Sequence, residues 1–161
     1  YIFRRSILNK VVISLALATS LLGGCSDQPV TANIVQSVTD FDYTMNSKQA
    51  VSISFGESKD NFCSATIYRS SVQAGYSVTS KQKSTKDISM DCNWGGKYYV
   101  QSSKHPTSAV LNIIDLDSES GSVQIGVSVH LVNPSSDSYF TLKNIILNLN
   151  KEQVSNLVKK I

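Results

Sequence analysis

Histidine and cysteine are scarce in this sequence, which has two histidines and three cysteines among 161 residues. Metal centres and many hydrolytic sites use these side chains at short, regular spacings. The sequence contains no CxxC or HxxxH spacing and no GxSxG motif. We therefore predict no metal ligand, no cofactor and no catalytic residue.

Long apolar runs are also lacking. A membrane-spanning helix needs about 20 apolar residues, whereas the apolar run at residues 11–22 is shorter and contains three hydroxyl residues. A basic segment with Arg4, Arg5 and Lys10 precedes it. A basic region followed by a short apolar core is typical of a secretory signal peptide.

This segment ends in Leu22-Gly23-Gly24-Cys25. These residues resemble the lipobox of bacterial lipoproteins, in which a leucine lies three residues before an obligatory cysteine, with small residues between them. The resemblance covers the first 25 residues. It implies that residues 1–24 are a signal peptide removed by signal peptidase II and that the Cys25 thiol carries a diacylglycerol. The alternative is an uncleaved anchor with an incidental cysteine.

The lipobox resemblance also implies a location. In many Gram-negative lipoproteins an aspartate directly after the lipidated cysteine favours the inner membrane, and here Ser26 holds that place. We therefore expect an outer-membrane protein that faces the periplasm; in a Gram-positive source it would lie outside the cytoplasmic membrane. Residues 25–33 would form a lipidated tether, short enough to hold the domain close to the membrane.

The mature chain has no net charge to attract nucleic acid. Cleavage before Cys25 removes 24 of the 161 residues and leaves 137, together with 12 of the 15 basic residues and all 12 acidic ones. This balance and export both argue against nucleic-acid binding. The remaining length suits one domain, predicted at residues 34–161, and neither a repeat nor a second linker is evident.

Cys63 and Cys92 are the cysteines that remain once Cys25 is assigned to the lipid. An even pair in an exported chain predicts a disulfide bond, because the periplasm is oxidising. Two unpaired core thiols are the alternative.

Apolar residues alternate with polar ones through most of the mature chain, which predicts antiparallel strands with one buried face. The clearest strand is residues 122–131, predicted to form a hairpin with residues 109–116. The alternation slips at Lys143 and Asn144, where we expect a bulge. A capping box at Asn150 and Gln153 predicts a short C-terminal helix. The fold class is thus mainly β, an antiparallel sandwich or curled sheet of about eight short strands with that helix.

Three aromatic residues, Trp94, Tyr98 and Tyr99, flank a predicted Gly-Gly hairpin turn. They belong either to the core or to a partner-contacting tip. Lys81, Lys83 and Lys86 form a basic cluster, predicted to place two lysines on one strand face. That cluster either meets an anionic partner or protects a strand edge.

Acidic residues and the two histidines are the remaining candidates for a chemical site. Asp115, Asp117 and Glu119 alternate as calcium ligands do, but the required Gly and Glu positions do not match, so a hairpin turn is the better interpretation. His105 and His130 have no recognisable partner in the sequence. Two carboxylate pairs, Asp40 with Asp42 and Asp87 with Asp91, are each predicted to share one strand face among ordinary polar positions.

These observations favour a lipid-anchored, non-catalytic protein-interaction module of the cell envelope, such as an inhibitor, immunity or assembly factor, with another envelope protein as its partner. A binder of a small ligand or envelope polymer is the first alternative, and a small hydrolase is the second. An interaction module requires an exposed apolar or aromatic patch, whereas a ligand binder requires a concave pocket.

Overall fold

The computed structural model describes residues 32–160, so the predictions for the signal peptide, the lipobox and most of the tether lie outside the described residues. These residues form ten strands, a 3-10 turn at Arg69–Ser71 and one helix. The elements are β1 Val35–Val38, β2 Thr44–Met45, β3 Lys48–Ser58, β4 Asn61–Tyr68, β5 Ser77–Lys81, β6 Ile88–Trp94, β7 Lys97–Val100, β8 Ser108–Asp117, β9 Ser122–Val132, β10 Tyr139–Leu149 and α1 Lys151–Val158.

All the strands pair antiparallel in one open sheet, which confirms the predicted fold class. The strand order is β1-β3-β4-β6-β7-β9-β8-β5, with β2 on β3 and β10 on β9. A single residue pair, Val100 with Val132, joins β7 to β9. The sheet therefore has a first section (β1, β2, β3, β4, β6, β7) and a second section (β5, β8, β9, β10), and one core cluster draws residues from both.

The β9 strand follows the predicted alternation. Its inward side chains are all at most 2 % exposed, and they are Val123, Ile125, Val127, Val129 and Leu131. β8 and β9 form the predicted hairpin. The predicted bulge is present between Leu142 and Ile145, where Asn144 has a positive φ of 54° and its backbone N–H donates to the Ser128 hydroxyl.

The predicted Cys63–Cys92 disulfide is present. The two residues lie directly opposite each other on β4 and β6, with their Cα atoms 3.9 Å apart, and both side chains are buried. The bond therefore joins two neighbouring strands at a defined register.

The predicted capping box of α1 is present, because the Asn150 and Gln153 side chains each accept from the other's backbone N–H. Val154 and Leu157 pack into the core. The Arg69 guanidinium donates to carbonyls at the end of the helix and to the Thr39 carbonyl after β1. Arg69 thus satisfies carbonyls that a helix terminus leaves without partners.

Three further findings concern the chain's periphery. Ala32, in the predicted tether, is fully buried in the core, so packing begins before residue 34. Lys81 ends the edge strand β5, but the chain turns at Gln82 and Lys83, so the prediction of two lysines on one strand face is wrong.

Within residues 32–160, no helix is long and apolar enough to cross a bilayer.

Candidate functional site

The three aromatic residues near the Gly95–Gly96 turn have different environments. Trp94 is partly buried and stacks on Phe140, with ring centroids 4.9 Å apart. Tyr99 is 8 % exposed and also contacts the Phe140 ring. Tyr98 is 48 % exposed. Tyr98 therefore has the most exposed ring of the three, since Tyr99 belongs to the core and Trp94 packs against it; that any of them contacts a partner stays a prediction.

Strand register explains this division. Tyr99 lies opposite Cys92, whose side chain points into the core, so Tyr98 lies opposite Asn93 and points outward. The Tyr98 backbone is held in place by Asn133, whose side-chain amide donates to the Tyr98 carbonyl at 3.0 Å. The adjoining turn is fixed to β4, since the Gly95 N–H donates to the Asn61 side chain at 2.9 Å.

Asp91 is at the centre of the outward surface on which Tyr98 lies. It is directly opposite Ser64 of β4 on one side and Val100 of β7 on the other. Phe62 and Tyr98 occupy diagonal positions, one on each neighbouring strand. Directly opposite Cβ atoms in a sheet are about 5 Å apart and diagonal ones about 7–8 Å. We call the surface formed by Ser54, Phe62, Ser64, Asp91, Asn93 and Tyr98 the Asp91 face.

The electrostatics of this face follow from partial burial. Desolvation raises the pKa of Asp91, because removal of water disfavours the ionised carboxylate. Desolvation also raises the pKa of Tyr98, and the nearby Asp91 charge adds to that effect. In the part of the chain that the structure describes, no lysine or arginine lies within 4 Å of Asp91. The carboxylate therefore bears a desolvation cost that no cation offsets.

The polar side chains of the Asp91 face make no hydrogen bond to any other residue of the 32–160 region. This applies to Ser54, Ser64, Asp91, Asn93 and Tyr98. On the outward face of the second section, by comparison, three pairs of polar side chains hydrogen-bond across strands. Those pairs are Ser77 with Asn112 (2.6 Å), Gln124 with Asn148 (3.1 Å) and His130 with Thr141 (2.7 Å). Among residues 32–160, no protein group therefore uses the side-chain donors and acceptors of the Asp91 face.

The sequence pattern did not single out Asp91. The alternation of polar and apolar residues in β6 correctly predicts that Asp91 lies on a polar face, but the same pattern applies to every outward carboxylate. Asp87, its predicted pair, is exposed in the loop before β6 and accepts a hydrogen bond from the Thr85 hydroxyl at 2.9 Å. The two carboxylates therefore have different environments, and only the positions of β4 and β7 on either side of β6 distinguish them.

The other predicted chemical groups do not come together into a catalytic arrangement. His105 Nε2 lies 3.8 Å from an oxygen of the exposed Asp137, and His130 stacks on Tyr139. In the turn that begins at Asp117, the Asp117 carboxylate accepts hydrogen bonds from the backbone N–H groups of Ser120 and Glu119. Hydrogen bonds from Ser120 and Glu119 lower the pKa of this carboxyl. Across residues 32–160, no three His, Cys, Asp or Glu side chains are grouped so as to hold a metal ion.

A pocket of about 430 Å³ lies beside the end of α1, lined mainly by Arg69, Val72, Val158, Lys159 and Lys160. Arg69 is already bonded to carbonyls of the chain itself, and Lys159 Nζ donates to the Asp40 carbonyl. Two of the three cationic groups at this pocket therefore have structural partners.

Comparison with known proteins gives no relative for this chain: no family model, no curated protein and no solved structure matches it significantly.

Proposed function

We propose that this protein is a lipid-anchored component of the bacterial cell envelope that binds another envelope protein through the Asp91 face, without catalysis. The observation that supports this most strongly is the partly buried Asp91 carboxylate, which lies beside the exposed Tyr98 and has no partner among residues 32–160. Tyrosine is enriched in protein–protein interfaces, because its ring offers contact area and its hydroxyl a hydrogen bond.

The shape of the face favours a protein partner over a small ligand. Small-molecule sites are concave and enclose most of their ligand, whereas the Asp91 face is the side of a β-sheet. Its strands are held in register from behind by the Cys63–Cys92 bond. A sheet face whose strands are fixed in register in this way suits a broad contact with little loss of conformational entropy.

The proposed anchor supports the same role. Lipidation at Cys25 would keep the domain at its membrane, since each buried methylene of an acyl chain contributes about 0.8 kcal/mol. Six residues separate Cys25 from the buried Ala32, so the domain would remain within about 25 Å of the lipid surface. Confinement of this kind raises the effective concentration of a partner in the same membrane.

Site-specific crosslinking in intact cells tests this proposal. A photoreactive amino acid at Ser89, an exposed β6 residue on the same side as Asp91, should capture one discrete envelope protein. Tyr98→Ala should reduce that capture while the purified chain remains folded. A photoreactive group at Thr79, on the outward side of β5, is the matched control and should not capture the same protein. Equal capture at both positions, or none at Ser89, would contradict the proposal.

A further inference from the structure

We propose that the Asp91 face receives an arginine side chain of the partner protein, with the guanidinium paired to the Asp91 carboxylate and stacked against the Tyr98 ring. This inference rests on the proposed function and adds the chemistry of the contact. Charge complementarity supports this contact, because a carboxylate on a partly desolvated surface, with no lysine or arginine of residues 32–160 within 4 Å, attracts a cation supplied by another chain.

The positions on the sheet fit a guanidinium. Ser64 lies directly opposite Asp91 on one side, and Asn93 is the next outward residue of the same strand. A guanidinium has five N–H donors in a planar fork, so after a bidentate pair with the carboxylate it retains donors for a hydroxyl and an amide oxygen. The Ser64 and Asn93 side chains offer these acceptors, and neither is used within the described part of the chain.

Tyr98 favours arginine over lysine. It occupies the diagonal position next to Asp91 on β7 and is half exposed, so its ring is accessible to a group bound at the carboxylate. A planar guanidinium stacks on an aromatic ring while its edge remains paired with an acid, whereas a compact, strongly hydrated ammonium does so less well. Arginine and tyrosine are also among the residues that contribute most to interface affinity.

Charges around the site do not compete with this occupant. β4 presents Phe62, Ser64 and Thr66 on this side, none of which ionises. β7 presents Tyr98 and Val100, so Tyr98 is the titratable group facing Asp91 from the two strands paired with β6. Burial raises the pKa of Asp91, and a bound guanidinium would stabilise the ionised carboxylate and lower that pKa again.

The test is a nuclear magnetic resonance titration of the purified full chain with three blocked amino acids. N-acetyl-arginine methylamide carries the guanidinium, the citrulline analogue has nearly the same shape without charge, and the lysine analogue carries an ammonium. We expect the arginine compound to bind in the millimolar range with shifts confined to β4, β6 and β7, and the citrulline compound to bind at least about tenfold more weakly.

Two isosteric variants localise the effect. Asp91→Asn should weaken arginine binding at least about tenfold, because it removes the charge without altering the shape. Asp87→Asn is the matched control, since it removes an exposed carboxylate four residues away, and it should leave binding unchanged.

The Tyr98 variants test the contribution of the ring. Tyr98→Phe should preserve binding, while Tyr98→Ala should reduce it. Equal losses in the two Asp variants would mean unspecific attraction and would overturn the inference.

The remaining outcomes separate this inference from the proposed function. Equal binding of arginine and lysine would overturn the selection of a guanidinium. No binding of arginine, combined with Tyr98-dependent crosslinking in cells, would overturn the arginine contact and leave the protein-binding function standing. Asp91-dependent binding of a soluble peptidoglycan fragment, without arginine binding, would overturn both and favour the envelope-polymer alternative.

Discussion

Asp91 and Tyr98 lie diagonally across the β6–β7 pair, close enough that the carboxylate adds to the effect of burial in raising the pKa of the phenol. The ionised carboxylate therefore makes the phenol harder to ionise, burial raises the pKa of the carboxyl itself, and no lysine or arginine among the described residues lies within 4 Å of Asp91. This relationship between two outward residues is the basis of the proposed binding face, and it leads to a prediction about stability as well as binding.

Asp91→Asn should stabilise the free protein at neutral pH. The folded-state pKa of Asp91 is raised above its unfolded value of about 3.9, so the folded state binds the proton more tightly and loses stability as the pH rises between the two values. Because water still reaches part of the carboxylate, we expect a gain of a few tenths of a kcal/mol at pH 7. Thermal unfolding at several pH values measures it. The gain should vanish below about pH 4, and a gain of equal size at pH 3 would contradict the assignment.

The Cys63–Cys92 bond should contribute substantially to stability. A crosslink between residues 29 apart removes about 3.5 kcal/mol of chain entropy from the unfolded state in the loop-closure model. In a Cys25→Ser background, thiol titration of the unreduced protein should detect no free thiol. Double replacement, Cys63→Ala with Cys92→Ala, should lower the thermal midpoint. Two reactive thiols in the folded, oxidised protein would exclude the bond.

Adjacent residues of β9 should respond oppositely to a charge. Val127→Asp places a carboxylate in the core, where Val127 is 2 % exposed, and should cost on the order of 3–5 kcal/mol or prevent folding. Ser128→Asp points outward and retains an acceptor for the Asn144 N–H, so a change within about 0.5 kcal/mol is expected. Denaturant unfolding of both variants measures the difference, and similar costs would mean that the strand is not buried on one side.

Alanine substitutions at Trp94 and Tyr98 should distinguish a residue that stabilises the fold from one that contacts a partner. Trp94→Ala removes a ring that stacks on Phe140 beside the core and should cost about 2–3 kcal/mol. Tyr98→Ala truncates an exposed ring and should change stability by less than about 1 kcal/mol while weakening partner capture. Chemical denaturation together with crosslinking yield distinguishes the two roles. A Tyr98 variant that unfolds like the Trp94 variant would assign Tyr98 to the core instead.

The anchor is tested by metabolic labelling with palmitate. Cys25→Ser should abolish labelling and leave an unprocessed precursor, because in lipoproteins the thiol is acylated before signal peptidase II cuts. Cys92→Ser serves as a control, since it removes a different cysteine and should leave the label in place. Labelling of the Cys25 variant at the level of the unaltered chain would refute the lipoprotein proposal.

The local structure of this protein followed from its sequence because strands, turns and caps depend on nearby residues. Alternation at residues 122–131, the slip at Asn144 and the Asn150–Gln153 capping box each specify a conformation through contacts a few residues apart. The disulfide was inferable because, once Cys25 is assigned to the lipid as the sequence predicts, one pair of cysteines is left to combine. Each of these features is present in the structure.

The candidate site depended on which strands became neighbours, and no short-range signal carries that information. Asp87 and Asp91 look alike in the sequence, yet one is exposed in a loop and the other is partly desolvated between β4 and β7. Likewise Tyr98 and Tyr99 are adjacent, and the pairing of Tyr99 with Cys92 buries one ring and exposes the other. Burial and electrostatics are sums over neighbours in space, so the tertiary pairing of β4, β6 and β7 alone decided the environment of Asp91.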